Sequence, residues 1–402
     1  MPIMSADTRR ANLALFLAGF ITFGLLYDVQ PLLPLITRDY GLHASAGAWV
    51  MSLSTLGMAL AIMAVNVLAA HLPRRSVMLS CLLLASSLSL LMAVLPSFAS
   101  LLGLRMLIGL ALGSVPVLAM AVLSDRIAGE RLGHAMGLYI SGTALGGMAG
   151  RLVASLLVAR QGWQHTVFFL GCAGLACSLL FWWALPAAPG AAPPAWRRSW
   201  RDHLRIWKRL GQQAPLRRYD AIGLLLMSCF VTAYNGVAYH LLSTPSAAGS
   251  RQLGALYIVY LVGAAASNLA GRAADRYGYR RALMSALGLL SAGLVLALYP
   301  DMIALVIAMT LITFGFFAGH AVASAAVGGI SRPYAGHAAA LYLLCYYGGS
   351  SIVGALGGVV WDIGGWSYVL VFLLVLSLIA LRLAGASAER PQALSFPSEE
   401  EC

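Results

Sequence analysis

Along most of the chain the pattern is neither the alternation of a strand nor the one-sided stripe of a soluble helix. Apolar residues run almost unbroken for roughly twenty positions at a time, the length a helix needs to cross a bilayer core about 30 Å thick. Twelve such runs are readable, at 12–34, 46–70, 76–96, 100–124, 134–158, 165–186, 221–242, 253–271, 281–299, 302–325, 336–360 and 366–384. Lipid cannot satisfy open backbone groups, so each run is predicted to be helical. Gly and other small residues within them suit close contact between membrane helices. The first run follows Arg9 and Arg10, as a signal peptide would. It is too long for one, contains Asp28, Pro31 and Pro34, and has no small-residue cleavage site, so it is read as the first span. The predicted class is an all-α membrane protein.

Composition sharpens this. Of 402 residues, 60% are hydrophobic and only 10% charged, against about 25% charged in soluble domains. Disorder is excluded by the same numbers. The 26 Lys+Arg and 14 Asp+Glu leave a net charge of +12. On a polar chain that excess would suggest nucleic acid, but its placement argues otherwise. With the N-terminus in the cytoplasm, 21 basic residues fall in cytoplasmic segments and only Arg38, Arg160 and Arg251 on the opposite side. The remaining two, Arg105 and Arg151, lie inside spans. Basic loops stay cytoplasmic, so the chain is expected in the inner (plasma) membrane with both termini inside, and with no nucleic-acid partner. Five of the six cysteines lie in spans and one in the tail, which implies neither a disulfide framework nor a metal site. No Walker loop is present, so ATP is not the expected energy source. The Gly-rich stretches lie within spans, and no cofactor or enzyme constellation is read.

The chain divides in two. Residues 1–186 form one six-span half and 220–385 another, with a linker at 187–219 and a tail at 386–402. The linker is Pro/Ala-rich and then basic. Trp196, Trp200, Leu204, Trp207 and Leu210 recur in it at helical spacing, which predicts an amphipathic helix on the anionic cytoplasmic leaflet. The halves repeat in one register. Gly133-His134-Ala135 recurs as Gly336-His337-Ala338, Leu138-Tyr139 as Leu341-Tyr342, and Gly162-Trp163 as Gly365-Trp366, each 203 residues on. Parallel six-span repeats with a substrate between them describe a transporter architecture.

Gly271-Arg272-Ala273-Ala274-Asp275-Arg276-Tyr277-Gly278-Tyr279-Arg280-Arg281 resembles the G-x-x-x-D-R-x-G-R-R loop of the major facilitator superfamily. The matching first-half loop keeps only Arg74 and Arg75, with Asn66, Ala70, His71 and Pro73 at the other positions. Arg105 and Gly109 resemble the family's R-x-x-x-G pattern. Gly137, Gly146 and Gly150 have the spacing of its antiporter motif, which then departs at Arg151, where Pro is expected, and at Ala154-Ser155. The strings YDVQPLLPLI and VTAYNGVAYHLL look like a narrower branch, the YnfM-like inner-membrane transport proteins near the arabinose-efflux and drug:proton antiporter groups. The resemblance implies the major facilitator fold, working as a monomer on a small-molecule substrate with protons as the coupling ion.

Charges inside a bilayer are costly and functional by default. Asp28, Arg105 and Arg151 all fall roughly 9–12 Å below the outer surface at 1.5 Å per residue. The family fold brings their helices together, so one network is expected, Asp28 with Arg105, Arg151 or both. It is either a static ion pair or a proton-coupling centre. The second half offers no intramembrane carboxylate by this reading. Gln30, Tyr234, Asn235, His240, His320, Tyr346 and Tyr347 are the candidate cavity residues, each open to an ordinary packing role. Asp275 is expected to latch onto the start of the fifth span near Gly133 and His134, with Arg276 and Arg280 paired to Asp125 or Glu130. Gly109, Gly137, Gly146 and Gly150 are expected to pack helices. The leading reading is proton-coupled export of a small organic compound. The alternatives are proton-coupled uptake of a small organic anion and, third, a sensor on a transporter fold. Reporter fusions test the topology: an enzyme active only in the cytoplasm should be active at both termini and inactive after residue 160.

Overall fold

The computed structural model describes residues 6–68, 72–95, 97–126, 131–185, 200–242, 247–331 and 334–389. They are helical throughout, with no strand among the described residues. The helices are α1 (Ala6–Tyr27), α2 (Leu33–Asp39), α3 (Ala44–Leu68), α4 (Arg74–Met92), α5 (Phe98–Arg126), α6 (Arg131–Ala184), α7 (Trp200–Gln212), α8 (Ala214–Leu241), α9 (Ala247–Ile258), α10 (Leu261–Tyr277), α11 (Tyr279–Leu296), α12 (Met302–Ile330) and α13 (Ala335–Gly385).

Two of these are too long to be single spans. α6 has 54 residues and α13 has 51, so each would measure about 75–80 Å if straight, more than twice the bilayer core. Each bends sharply at glycine. Gly162 has φ 75°, and in α13 Gly364 leaves helical geometry and Gly365 has φ 64°. Side chains with a Cβ rarely adopt such positive φ values. Gly162 and Gly365 are the pair that the 203-residue repeat aligns. Ten apolar helical stretches among the described residues are long enough to cross a membrane, and dividing these two at their glycines makes twelve.

The first expected span is not continuous. α1 stops at Tyr27, and a single 3-10 turn at Gln30–Leu32 joins it to α2. Two prolines account for the break. The ring of Pro31 would collide with the Tyr27 carbonyl four residues back, and neither Pro31 nor Pro34 can donate a backbone hydrogen bond. The seventh span departs from expectation in the other direction. α8 begins at Ala214, so Asp220 lies within a helix and is buried. The second half therefore does hold a buried carboxylate, which a span drawn from 221 excludes.

The chain forms two compact units. One comprises Met1–Arg197, Thr232–Leu261 and Ser351–Val369; the other comprises Arg198–Val231, Val262–Ser350 and Leu370–Cys402. In the first unit α1 lies along α6, α3 along α5, and α4 against both α5 and α6. Gly142, Gly146 and Gly150 of α6 meet the backbone of Phe16, Phe20 and Gly24 of α1, and a Cβ on any of the three would strike a carbonyl oxygen. Gly109 is pressed in the same way against the backbone of Ser54. Gly137, by contrast, faces open space and is not a packing glycine.

In the second unit α11 packs along α12, and Phe230 stacks on Phe316 with ring centroids 3.8 Å apart. The helix expected in the linker is α7, but its apolar residues divide. Trp207 and Leu210 are buried, while Trp200 and Leu204 are exposed. His203 holds α7 to the start of α13, with its Nδ1 3.0 Å from Nε2 of His337. Trp196 lies outside the described residues.

Overpacking normally costs about 1–3 kcal/mol, and here the obstacle is backbone. Gly146→Leu should abolish the monodisperse peak in fluorescence-detected size-exclusion chromatography. Gly137→Leu should leave it intact.

Candidate functional site

The break in α1 sets the site. Arg105 of α5 is fully buried and reaches the freed end of that helix. Its Nη1 donates to the Leu25 carbonyl (3.2 Å) and its Nη2 to that of Leu26 (2.5 Å). These last-turn carbonyls have lost helical partners, and a cation is favoured at a helix C-terminus. Nη1 also lies 3.3 Å from Oδ1 of Asp28, itself fully buried. Asp28 therefore pairs with Arg105. The other carboxylate oxygen, Oδ2, is buried without a hydrogen-bond partner, as is Nε of Arg105.

Arg151 is held differently. It is 1% exposed, and no ion pair joins it to a carboxylate among the described residues. Its Nε donates to Oε1 of Gln30 (2.5 Å) and its Nη1 to the Gly147 carbonyl (2.7 Å). The rest of the guanidinium is met by aromatic faces. Cζ lies 4.0 Å from the ring centroid of Tyr27 and 4.5 Å from that of Tyr260, with Tyr234 and Tyr257 at 6.0 and 5.9 Å. Cation–π attraction is worth about 2 kcal/mol or more when desolvated, so the tyrosines take part of the role a counter-ion would play. Gln30 connects this cage to α8, because its Nε2 donates to Oδ1 of Asn235 (2.6 Å). Nδ2 of Asn235 and the hydroxyl of Tyr257 are buried without hydrogen-bond partners.

Sequence reading thus anticipates Asp28, Arg105, Arg151, Gln30, Tyr234 and Asn235, and the fold gathers all six in one unit. It misses Tyr27, Tyr257 and Tyr260. A signal for Tyr27 exists: Tyr27-Asp28 in the first span and Tyr234-Asn235 in the seventh are similar Tyr-polar dyads. Nothing local marks Tyr257 and Tyr260, which sit at the end of α9 and just beyond it.

The other candidates are placed elsewhere. His240 is exposed and stacks on Trp366. His320, Tyr346 and Tyr347 belong to the second unit. There Nδ1 of His320 is 3.0 Å from the Tyr342 hydroxyl, and the His320 ring stands 4.6 Å from that of Tyr346, which meets Tyr347 edge-on.

The gating segment is less of a loop than expected. Gly271, Asp275 and Arg276 lie on α10, and the turn is Gly278 alone, at φ 94°. Arg280 and Arg281 pair with Glu389, at 2.7 and 2.9 Å. Their partner is thus Glu389, just beyond α13, in place of the expected Asp125 or Glu130 for Arg280. The side chains of Asp125, Glu130 and His134, and the surroundings of Gly133, lie outside the described residues. A carboxylate at a helix N-terminus does occur in the first unit, though not at Asp275. The Asp362 carboxylate accepts the Ala44 and Ser45 backbone N–H groups, both at 3.0 Å, at the N-terminus of α3. Tyr239 and Thr37 meet through their hydroxyls at 3.5 Å close by.

A discontinuous membrane helix with buried charges at its break is the arrangement of a secondary transporter. The chain belongs to the major facilitator superfamily, whose family model matches residues 15–246 and 221–401. The inner membrane transport protein YnfM of Escherichia coli (strain K12) is 37% identical over 383 residues, spanning 95% of this chain and 91% of that protein. The uncharacterized MFS-type transporter YybF of Bacillus subtilis (strain 168) is 35% identical, spanning 94% and 93%. Among solved structures, the nucleoside transporter NupG (D323A mutant) superposes with a TM-score of 0.74 at 18% identity, covering 94% of this chain and 99% of that one. A bacterial homolog of the human lysosomal transporter Spinster gives 0.73 at 14%, covering 95% and 97%. The protein is a multi-pass membrane transporter of this superfamily and not an enzyme.

Removing one partner of a buried ion pair typically costs about 3–5 kcal/mol, because the other is left uncompensated. Arg105→Gln should lower the melting temperature in detergent strongly. Asp28→Asn with Arg105→Gln should lower it by less than Arg105→Gln alone.

Proposed function

We propose that the chain is a proton-coupled transporter of the inner membrane that exports a small organic compound bearing an anionic group, by alternating access. The observation that carries this reading is the unequal treatment of the buried charges. Asp28 and Arg105 cancel, Asp28 keeps one carboxylate oxygen unpartnered, and Arg151 beside them has aromatic faces in place of a carboxylate.

A buried carboxylate oxygen without a partner carries negative charge that nothing beside it offsets, and a proton on Oδ2 of Asp28 removes that charge. Protonation also weakens the hold on Arg105 and so loosens the end of α1. The substrate's anionic group binds at Arg151. Gln30 bonds Arg151 through its oxygen and Asn235 through its nitrogen, so a shift of Arg151 on binding is passed to the contact with α8. Asp362 at the N-terminus of α3 closes the outer end, where positive-inside orientation puts that loop.

Uptake by symport is the second reading, and one observation favours it: Arg151 stands where the family's antiporter motif carries Pro. Both readings put the proton on Asp28. Counterflow of labelled solutes in proteoliposomes, with and without a pH gradient, identifies a substrate and the direction of coupling. With that substrate, Asp28→Asn should retain exchange while losing the response to the gradient. Wild-type gradient dependence in Asp28→Asn would remove Asp28 from the coupling step.

A further inference from the structure

We infer that the Arg151 site takes a flat monocarboxylate, one whose carboxylate is conjugated to an aromatic or unsaturated body. The inference rests on the reading of Arg151 as the anion site and narrows it to a chemical class. Charge sets the first limit. Asp28 and Arg105 neutralise each other, so Arg151 leaves a single buried positive charge for the substrate to balance. A monoanion does so, whereas a dianion brings a second buried charge with no cation to meet it.

Shape sets the second limit. A carboxylate that pairs with a guanidinium through two parallel N–H···O bonds lies in its plane, and with Nε given to Gln30 those bonds come from Nη1 and Nη2. Here Cζ is 4.0 Å from the centroid of Tyr27 and 4.5 Å from that of Tyr260, so the two centroids are at most 8.5 Å apart. Both rings stand within van der Waals reach of the guanidinium and so wall the space beside it. A group that leaves the carboxylate through a tetrahedral carbon carries hydrogens or substituents out of the plane and into the rings. A conjugated body has no such projections and can lie flat against a ring face.

Unpaired donors set the polar contacts. Nδ2 of Asn235 and the Tyr257 hydroxyl are buried and without hydrogen-bond partners, and both belong to residues of this cluster. They are available to a carboxylate oxygen or to an acceptor on the ring. Gln30 bonds both Arg151 and Asn235, which makes it the positioning residue that holds the cation and the amide at a fixed spacing.

The test uses the full chain in proteoliposomes, with benzoate as the probe. Vesicles loaded with unlabelled benzoate at pH 8, where little of the leaky protonated acid exists, are assayed for accumulation of labelled benzoate against protein-free vesicles. Competitors are cyclohexanecarboxylate (same size, not flat), phthalate (flat, dianionic) and benzyl alcohol (flat, uncharged). Protein-dependent counterflow is expected, with all three competitors weaker than unlabelled benzoate by about 10-fold or more, the scale of losing one well-fitted contact. Tyr260→Leu should bring cyclohexanecarboxylate close to benzoate, and Arg151→Gln should abolish counterflow. Equal competition by cyclohexanecarboxylate in the wild type would overturn the shape argument, and equal competition by phthalate the charge argument. Absence of benzoate counterflow would overturn the inference whole. If the same vesicles then exchange another solute in response to a pH gradient, the proposed function stands and only the substrate class falls.

Discussion

A guanidinium taken out of water must be given back what water supplied, and the bundle has to do this twice within a few residues of one helix end. Arg105 is repaid by carbonyls and a carboxylate, Arg151 by an amide, one carbonyl and the faces of tyrosines. Both solutions depend on α1 ending at Tyr27. Were it continuous, its last-turn carbonyls would be occupied by the following N–H groups, and Arg105 would have only Asp28. Gln30 would sit on a helical face instead of in a turn. Pro31 is therefore the residue from which the site is built, although it touches neither charge.

The two arginines also show why a buried cation and a buried ion pair differ in what they offer. A pair is electrostatically closed, and little is gained by bringing a third charge to it. A cation held by π-faces and neutral groups keeps its full charge, because rings attract it without cancelling it. The same cage that lets Arg151 exist in a membrane leaves its charge uncancelled. Aromatic support in place of a carboxylate is a choice with chemical consequences.

The architecture was largely legible in the chain because its signals are local or periodic. Apolar runs mark spans, and the 203-residue register matches Gly162 to Gly365, both of which the fold uses at positive φ. The departures have specific causes. Pro31 and Pro34 are visible, yet a hydropathy run passes over them and hides the break in the first span. Asp220 falls outside its span because a polar residue at the edge of an apolar run reads as loop. At the site, charges were legible because they are rare in membranes, whereas Tyr257 and Tyr260 are two among 16 tyrosines. Their part comes only from α9 packing against α6. Glu389 as the partner of Arg280 and Arg281 was illegible for a similar reason: it is distant in sequence and follows the last helix.

The glycine contacts between α1 and α6 have a mechanical corollary. Gly142, Gly146 and Gly150 let backbone rest on backbone along some two turns, with no flexible side chains between to slide or repack. The two helices behave as one bar. Gln30 follows one end of that bar and Arg151 sits on it directly after Gly150, so their mutual bond is made beside a rigid backbone contact. The bond from Gln30 to Asn235 leaves that glycine contact and runs to α8. Of the two hydrogen bonds made by one amide, the first stays within the bar and the second ties the bar to a third helix.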